Sequence, residues 1–230
     1  MADLALYALA KRQTVDLVLK LDEATLARTC VSCPKWSIRD VVAHHVHFLG
    51  AFISKEVPSS TFQALLEPEN SIREAAAQQR DEWTETGVTV RREISFADVL
   101  VEWDQLVANM PPTAAGVAMD LTMHLADIEE TLGGDRQIHQ SLIDDALLSY
   151  YEWFLIPRLI AANVATLGLI CTDTHHEIRS ATTSSMVAGS SYELLRSIGG
   201  RRSRLQVDLA LDWQDTPEST RELFSVYGWP

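Results

Sequence analysis

Apolar residues recur every three to four positions through 4–21 (Leu4, Leu6, Leu9, Val15, Leu17, Val18, Leu21), the spacing of one face of an α-helix. The pattern predicts a first long helix, followed by the short turn DEATLART at 22–29. A second helix is expected from Ser37 to about Lys55. In SIRD the serine serves as N-cap, the acid three residues on completes a capping box, and Trp36 stands where a hydrophobic staple would. Pro58, Ser59 and Ser60 open a looser stretch, helical propensity returns over 70–86, and Gly87 is expected to end that helix. Ser95 starts another Ser-x-x-Asp cap before the stripe Val99, Leu100, Trp103, Leu106 and Val107, which Pro111 and Pro112 stop. The helical pattern resumes from about Thr113 to Leu132, with Gly-Gly-Asp at 133–135 as its C-cap.

After 135 the text changes character. One further helix is expected at about 140–166, then two short strands in the β-branched, alternating stretch 168–189. A helix around 190–198, a GGRRS turn and the apolar run LQVDLAL follow. The pattern gives a mainly α fold, with an antiparallel helical bundle over 1–136 and a small α+β domain over 137–230. It contains no internal repeat and no low-complexity tract.

Charge narrows the partners. With 19 Lys and Arg against 32 Asp and Glu, the formal net charge is −13, which opposes attraction to phosphate backbones or anionic lipid. Neither nucleic acid nor a membrane surface is an expected partner. The chain has no run of about 18 apolar residues, and its first residues carry no basic region or cleavage site, so a soluble cytoplasmic protein is expected. Cys30, Cys33 and Cys171 are an odd and sparse set, which argues against a disulfide framework and for a reducing compartment. CVSCP has CxxC spacing but no second knuckle, and its thiols read as ordinary packed cysteines.

Candidate chemistry gathers on two helices. His44 shares a stripe with Val41, Phe48 and Ala51; His45 lies beside the line Ile38, Val42, Leu49; His47 falls with Asp40, Ala43 and Ser54 on a more polar face. Each alone reads as a structural or surface histidine. In VAMDLTMHLADIEETL, however, Asp120, His124, Asp127 and Thr131 form a polar stripe beside the apolar line Val117, Leu121, Leu125, Ile128, Leu132. Asp120 and His124 stand one turn apart and can reach one point. Adding His44 makes two imidazoles and a carboxylate, a three-ligand set that leaves a position open on Zn²⁺; donor softness also allows Ni²⁺, Fe²⁺ or Cu²⁺. Asp127 is placed to orient a ligand from behind, or to face water. His175 and His176 read as exposed turn residues, with a ligand role as the alternative, and His139 has no supporting pattern.

CPKWSIRDVVAHHVHFLGAF resembles the Cys-Pro-Gly-Trp-Thr/Ser-Val-Arg-Asp-Val-Val-Ala-His segment of the DinB-like superfamily branch typified by mycothiol-dependent maleylpyruvate isomerases. AMDLTMHLADIEETLG resembles that branch's acid-x-x-x-His-x-x-Asp segment, and GSSYELLRSIGGRRSRLQVDLALDW its carboxy-terminal unit, so the resemblance spans about 30–215 in order. It implies a DinB-like four-helix bundle holding a divalent metal, zinc first, on His44, Asp120 and His124, and it selects His44 over His45. The branch typically carries glutamate where this chain has Asp120, one methylene shorter. Its Gly-Arg element falls on Gly200 and Arg201, so Arg201 is the candidate catalytic residue for an anionic substrate or a carbonyl; a plain surface turn with Arg202 and Arg204 is the alternative.

The resemblance further implies mycothiol or another small thiol as cosubstrate and a small electrophile as substrate. Thiol bound at the open metal position would lose its proton, and the thiolate would add to an electrophilic carbon, as in an isomerase or an S-transferase. Other readings stand beside it: a recruited biosynthetic enzyme using the metal as Lewis acid, a non-catalytic metal- or ligand-binding bundle of the stress or regulatory kind, or a dimerisation scaffold with no metal. Monomer and homodimer both fit.

Overall fold

A computed structural model describes residues 4–111, 116–134 and 136–228. In chain order the elements are α1 (Leu4–Val18), α2 (Glu23–Leu26), β1 (Thr29–Cys30), β2 (Cys33–Ser37), α3 (Ile38–Ser54), α4 (Ser59–Leu66), α5 (Asn70–Arg92), α6 (Phe96–Ala108) and α7 (Ala118–Leu132). There follow α8 (Gln140–Tyr150), a π-helical turn (Tyr151–Leu155), α9 (Ile156–Ala161), β3 (Thr166–Cys171), β4 (His176–Ile178), β5 (Thr183–Gly189), α10 (Ser191–Ile198), α11 (Arg204–Ala210) and α12 (Glu218–Arg221). The fold is mainly α with a small α+β portion. Among the described residues no helix is long and apolar enough to cross a membrane. Contacts divide the chain into Met1–Pro58 with Gln78–Leu142 and Ser59–Ala77 with Ile143–Pro230, so the second unit draws the segment 59–77 from within the expected 1–136.

The first unit is a helical bundle built on α1, α3, α6 and α7. Its core joins Tyr7 and Ala10 to Val41, Val46, Leu49, Val99, Trp103, Leu121 and Ile128. Each of the larger aliphatic side chains stabilises the fold by about 1.5–3 kcal/mol through its burial. Of the stripe read along α1, Val18 lies at the centre of the buried face and the other positions mark its flank. Tyr7, Ala10, Thr14 and Val18 are buried, whereas Leu4 is exposed. Thr14 is tolerated there because its hydroxyl donates to the Ala10 carbonyl at 2.9 Å.

The expected turn at 22–29 holds the one-turn α2, which Asp22 caps, and the hairpin β1–β2 was not foreseen at all. β1 has only two residues, too few for an alternation to register. The second helix begins as the sequence requires: Ser37 accepts from the Asp40 amide at 3.2 Å and Asp40 accepts from the Ser37 amide at 3.0 Å. Ser95 caps α6 by accepting from the Asp98 amide at 3.1 Å, without the reciprocal backbone bond. The expected start of the next helix near Thr113, Pro112 and Asp135 lie outside the described residues, and Gly133 closes α7 in a left-handed conformation at φ 71°.

Gly87 does not end α5, which continues to Arg92. A Cβ at Gly87 would lie 2.1 Å from the His47 ring, so this glycine makes room for a side chain of α3 inside an unbroken helix. His47 accordingly packs on Trp83 with ring centroids 4.5 Å apart, rather than lying on a polar face.

In the second unit the expected helix over 140–166 is interrupted. The Ile156 amide bonds the Tyr151 carbonyl as a π turn, just ahead of Pro157, which has no amide to give the helix ladder. Three strands form where two were expected, in the order β4-β3-β5, with β3 parallel to β5 and antiparallel to β4. β3 is buried almost throughout, as a central strand with a parallel neighbour should be. Ser190 caps α10, and Asp173 adds two bonds to Ser191 at 2.9 Å. LQVDLAL lies in α11 up to Ala210, with Leu211 extended just beyond it; α11 opens with a Ser203–Gln206 capping box, Val207 is buried and Leu205 and Leu209 are exposed.

The start of α3 is held by charge as well as by its cap, since Arg92 donates to both carboxylate oxygens of the buried Asp40 at 2.9 and 3.2 Å. Burial alone would raise the Asp40 carboxyl; Arg92 and the Ser37 hydrogen bonds outweigh it and hold Asp40 below the usual carboxylate range. Stability from this group is therefore complete above its unfolded pKa of about 4 and fades as pH falls through the lower folded value. Asp40→Asn is expected to cost about 1–2 kcal/mol in urea unfolding at pH 7 and progressively less toward pH 2, whereas a pH-independent cost would contradict this assignment.

Candidate metal centre

The capped start of α3 and the middle of α7 bring His44, Asp120 and His124 together within the first unit. The ligand atoms of the three lie within 4.8 Å of one another. His44 Nε2 is 3.9 Å and His124 Nε2 3.7 Å from the two oxygens of Asp120. The two imidazole rings meet edge-on, 4.8 Å apart and at 79°. Neighbouring donors on a tetrahedral ion with bonds near 2.0–2.1 Å stand roughly 3.3 Å apart, so small side-chain movements bring this set onto one.

Two further observations fit a cation. Among the described residues His44 makes no hydrogen bond: Nε2 is beyond hydrogen-bond reach of Asp120, and Nδ1 is buried without a partner. Leaving Nδ1 of a buried imidazole unsatisfied is costly, and Nε2, which faces Asp120, is the nitrogen open to an ion between His44, Asp120 and His124. Second, His124 Nδ1 lies 3.0 Å from Asp127 Oδ2, inside a wholly buried contact. Asp127 thereby fixes the His124 proton on Nδ1 and turns Nε2 toward Asp120, the arrangement of a carboxylate behind a metal-binding histidine. Trp36 stacks on His44 at 4.9 Å and donates through Nε1 to Glu85 at 2.8 Å, which holds the ring in place.

Electrostatics follow the same geometry. Burial would raise the Asp120 carboxyl, but His124, the hydrogen bond from His45 and His44 together hold it far below the usual carboxylate range. Burial pushes His44 well below, and His45 below, the ordinary imidazole value, so both are neutral near pH 7. The site thus offers a neutral His44 imidazole beside an ionised carboxylate.

His45, set aside as a ligand, has a different task. Its Nδ1 is 3.4 Å from Asp120 Oδ2, its Nε2 is 3.0 Å from the Tyr7 hydroxyl, and Trp103 Nε1 donates to that hydroxyl at 2.7 Å. An indole nitrogen can only donate, so Tyr7 accepts from Trp103 and donates its own hydroxyl to His45 Nε2. That leaves the His45 proton on Nδ1, donated to Asp120. Tyr7 and Trp103 went unrecognised because their partners lie 38 and 96 residues away in the chain.

CVSCP also reaches this region. Cys33, Asp127 and His124 form a second group of close ligand atoms, and Cys33 Sγ donates to Asp127 Oδ2 at 3.4 Å. Arg201 belongs to the second unit, where Gly200 takes φ 66° and Arg201 Nη1 donates to the Gly199 carbonyl at 2.9 Å. Its guanidinium stands 5.4 Å from the Tyr227 ring centroid. His139, His175 and His176 are exposed.

Tyr7→Phe removes the one hydroxyl that satisfies both the buried Trp103 indole and His45. It is expected to lower stability by about 1–3 kcal/mol in chemical denaturation, and a cost below about 0.5 kcal/mol would show that the chain to Asp120 is not needed.

A family described as the mycothiol maleylpyruvate isomerase N-terminal domain matches residues 7–129. No curated protein matches the chain. Among solved structures, a mycothiol-dependent maleylpyruvate isomerase is similar with a TM-score of 0.47 and 13% identity, over 86% of this chain and 88% of that one. A mutant of that enzyme is similar with a TM-score of 0.48 at the same identity and coverage.

Proposed function

Because the chain belongs to the mycothiol maleylpyruvate isomerase N-terminal domain family, we propose that it is a metal-dependent isomerase that uses mycothiol or a similar small thiol on a small electrophilic substrate. S-transfer to such a substrate shares the same first step. The observation that carries the reading is the convergence of His44, Asp120 and His124 on one point, with the buried His44 lacking any hydrogen bond among the described residues. Zinc is the first candidate ion for two imidazoles and a carboxylate.

When bound, a divalent cation at these three residues supplies the positive charge that favours thiolate over thiol near neutral pH. The chain's own groups prepare that position. Asp127 holds His124 in one tautomer, His45 fixes the Asp120 carboxylate by a hydrogen bond, and Trp36 covers the His44 ring and limits water there. Asp120, one methylene shorter than glutamate, depends on such anchoring for its reach. In this reading Arg201 is the residue that holds an anionic substrate, because a guanidinium pairs with a carboxylate through two parallel hydrogen bonds.

Purified protein reconstituted with Zn²⁺ is expected to hold about one ion per chain. His44→Ala or His124→Ala should abolish stoichiometric loading with helical content kept, and Asp127→Asn should weaken it by about 10–100-fold. With maleylpyruvate and mycothiol as the first substrates tried, Arg201→Ala should lower turnover about tenfold or more at unchanged metal content. Full loading in both histidine variants would overturn the metal assignment, and full activity of Arg201→Ala would return that residue to a structural turn.

A further inference from the structure

Cys30 and Cys33 are directly opposed in the β1–β2 hairpin, separated by the two-residue turn Val31-Ser32. Directly opposed residues of an antiparallel pair have Cα atoms about 4.5–5.5 Å apart, within the span of a disulfide. Neither cysteine is bonded to another in this structure. Their surroundings differ in a useful way. Cys30 is wholly buried, donates to the Asp127 carbonyl at 3.4 Å and lies 3.2 Å from Thr131 Oγ1; Cys33 is half-buried and donates to Asp127 Oδ2 at 3.4 Å. A half-buried thiol directly opposed by a second, wholly buried one within the span of a disulfide is the arrangement of an attacking and a resolving cysteine.

We propose that Cys30 and Cys33 form an exchanging dithiol that reduces low-molecular-weight disulfides and closes to an intramolecular disulfide. In the first step the Cys33 sulfur attacks one sulfur of a small disulfide RSSR. A Cys33–SR bond forms, the S–S bond of RSSR breaks, and one RSH leaves with the proton lost by Cys33. In the second step the Cys30 thiolate attacks the Cys33 sulfur, the Cys30–Cys33 bond forms, and the second RS⁻ leaves and takes up the proton given off when Cys30 ionised. The protein loses two electrons and two protons, and RSSR becomes two RSH. Closure consumes the S–H that Cys33 gives to Asp127, so the oxygen that orients His124 loses one of its hydrogen bonds. That consequence rests on the metal reading above; the exchange itself does not.

The test uses the full-length reduced protein, incubated with bis(2-hydroxyethyl) disulfide, then alkylated and weighed intact, with 2-mercaptoethanol release followed in parallel. The expected product has lost two of its three alkylatable thiols, retains no adduct, and has released about two equivalents of 2-mercaptoethanol. Cys171, buried in the second unit, should remain alkylatable after unfolding. Cys30→Ser should stop at a stable mixed disulfide on Cys33, and Cys33→Ser should react at least tenfold more slowly, since its remaining hairpin thiol is buried. A wild-type protein that keeps the adduct, does not react, or reacts only after a chelator frees its thiols would overturn the proposal, the last outcome making Cys33 a metal ligand instead. The thiol count is read with or without metal in the protein, so its failure is distinguishable from failure of the metal assignment.

Discussion

The Asp120 carboxylate lies among three imidazoles, and the bundle around it is arranged to keep it ionised and in place. A buried carboxylate with nothing to pair it would take up a proton or destabilise the fold. Here α3 supplies His44 and His45, α7 supplies His124, and α1 and α6 reach Asp120 through Tyr7 and Trp103. All four helices that build the bundle thus meet at one oxygen-bearing side chain. Its core is consequently more than an apolar filling, because the two largest side chains on the His45 side, Tyr7 and Trp103, are chosen for a hydroxyl and an indole N–H as well as for their area.

The parts of this arrangement that depend on local chemistry were legible in the sequence. Ser37 with Asp40, and Ser95 with Asp98, announce helix starts because a cap is made within four residues. Asp120 and His124 could be paired from spacing alone, since one turn of helix brings them together. Choosing His44 from three neighbouring histidines needed the family resemblance, because helical phase does not say which ring meets another helix. The task of His45 was out of reach for the same reason: its partners come from α1 and α7. Gly87 shows the opposite error, where a residue that usually ends helices is kept for the space it leaves to His47, a demand invisible without the neighbouring helix.

His124 marks the point where two chemistries adjoin. Its Nε2 faces Asp120 and His44, while its Nδ1 faces Asp127, whose carboxylate also receives the Cys33 thiol. The first side offers only nitrogen and oxygen donors, suited to a borderline ion such as Zn²⁺, and the second adds sulfur. Asp127 separates the two by occupying Nδ1 with a hydrogen bond, which leaves a single nitrogen of His124 for coordination. The account therefore places any bound ion on the Asp120 side and the thiols outside its coordination sphere.

That placement is tested most directly by X-ray absorption at the zinc edge of the zinc-loaded full-length protein. The account predicts nitrogen and oxygen scatterers at about 2.0–2.1 Å, with the outer-shell pattern of two imidazoles and no sulfur. A zinc–sulfur distance of about 2.3 Å would put Cys33 in the coordination sphere and contradict the assignment of His44, Asp120 and His124 as the ligand set.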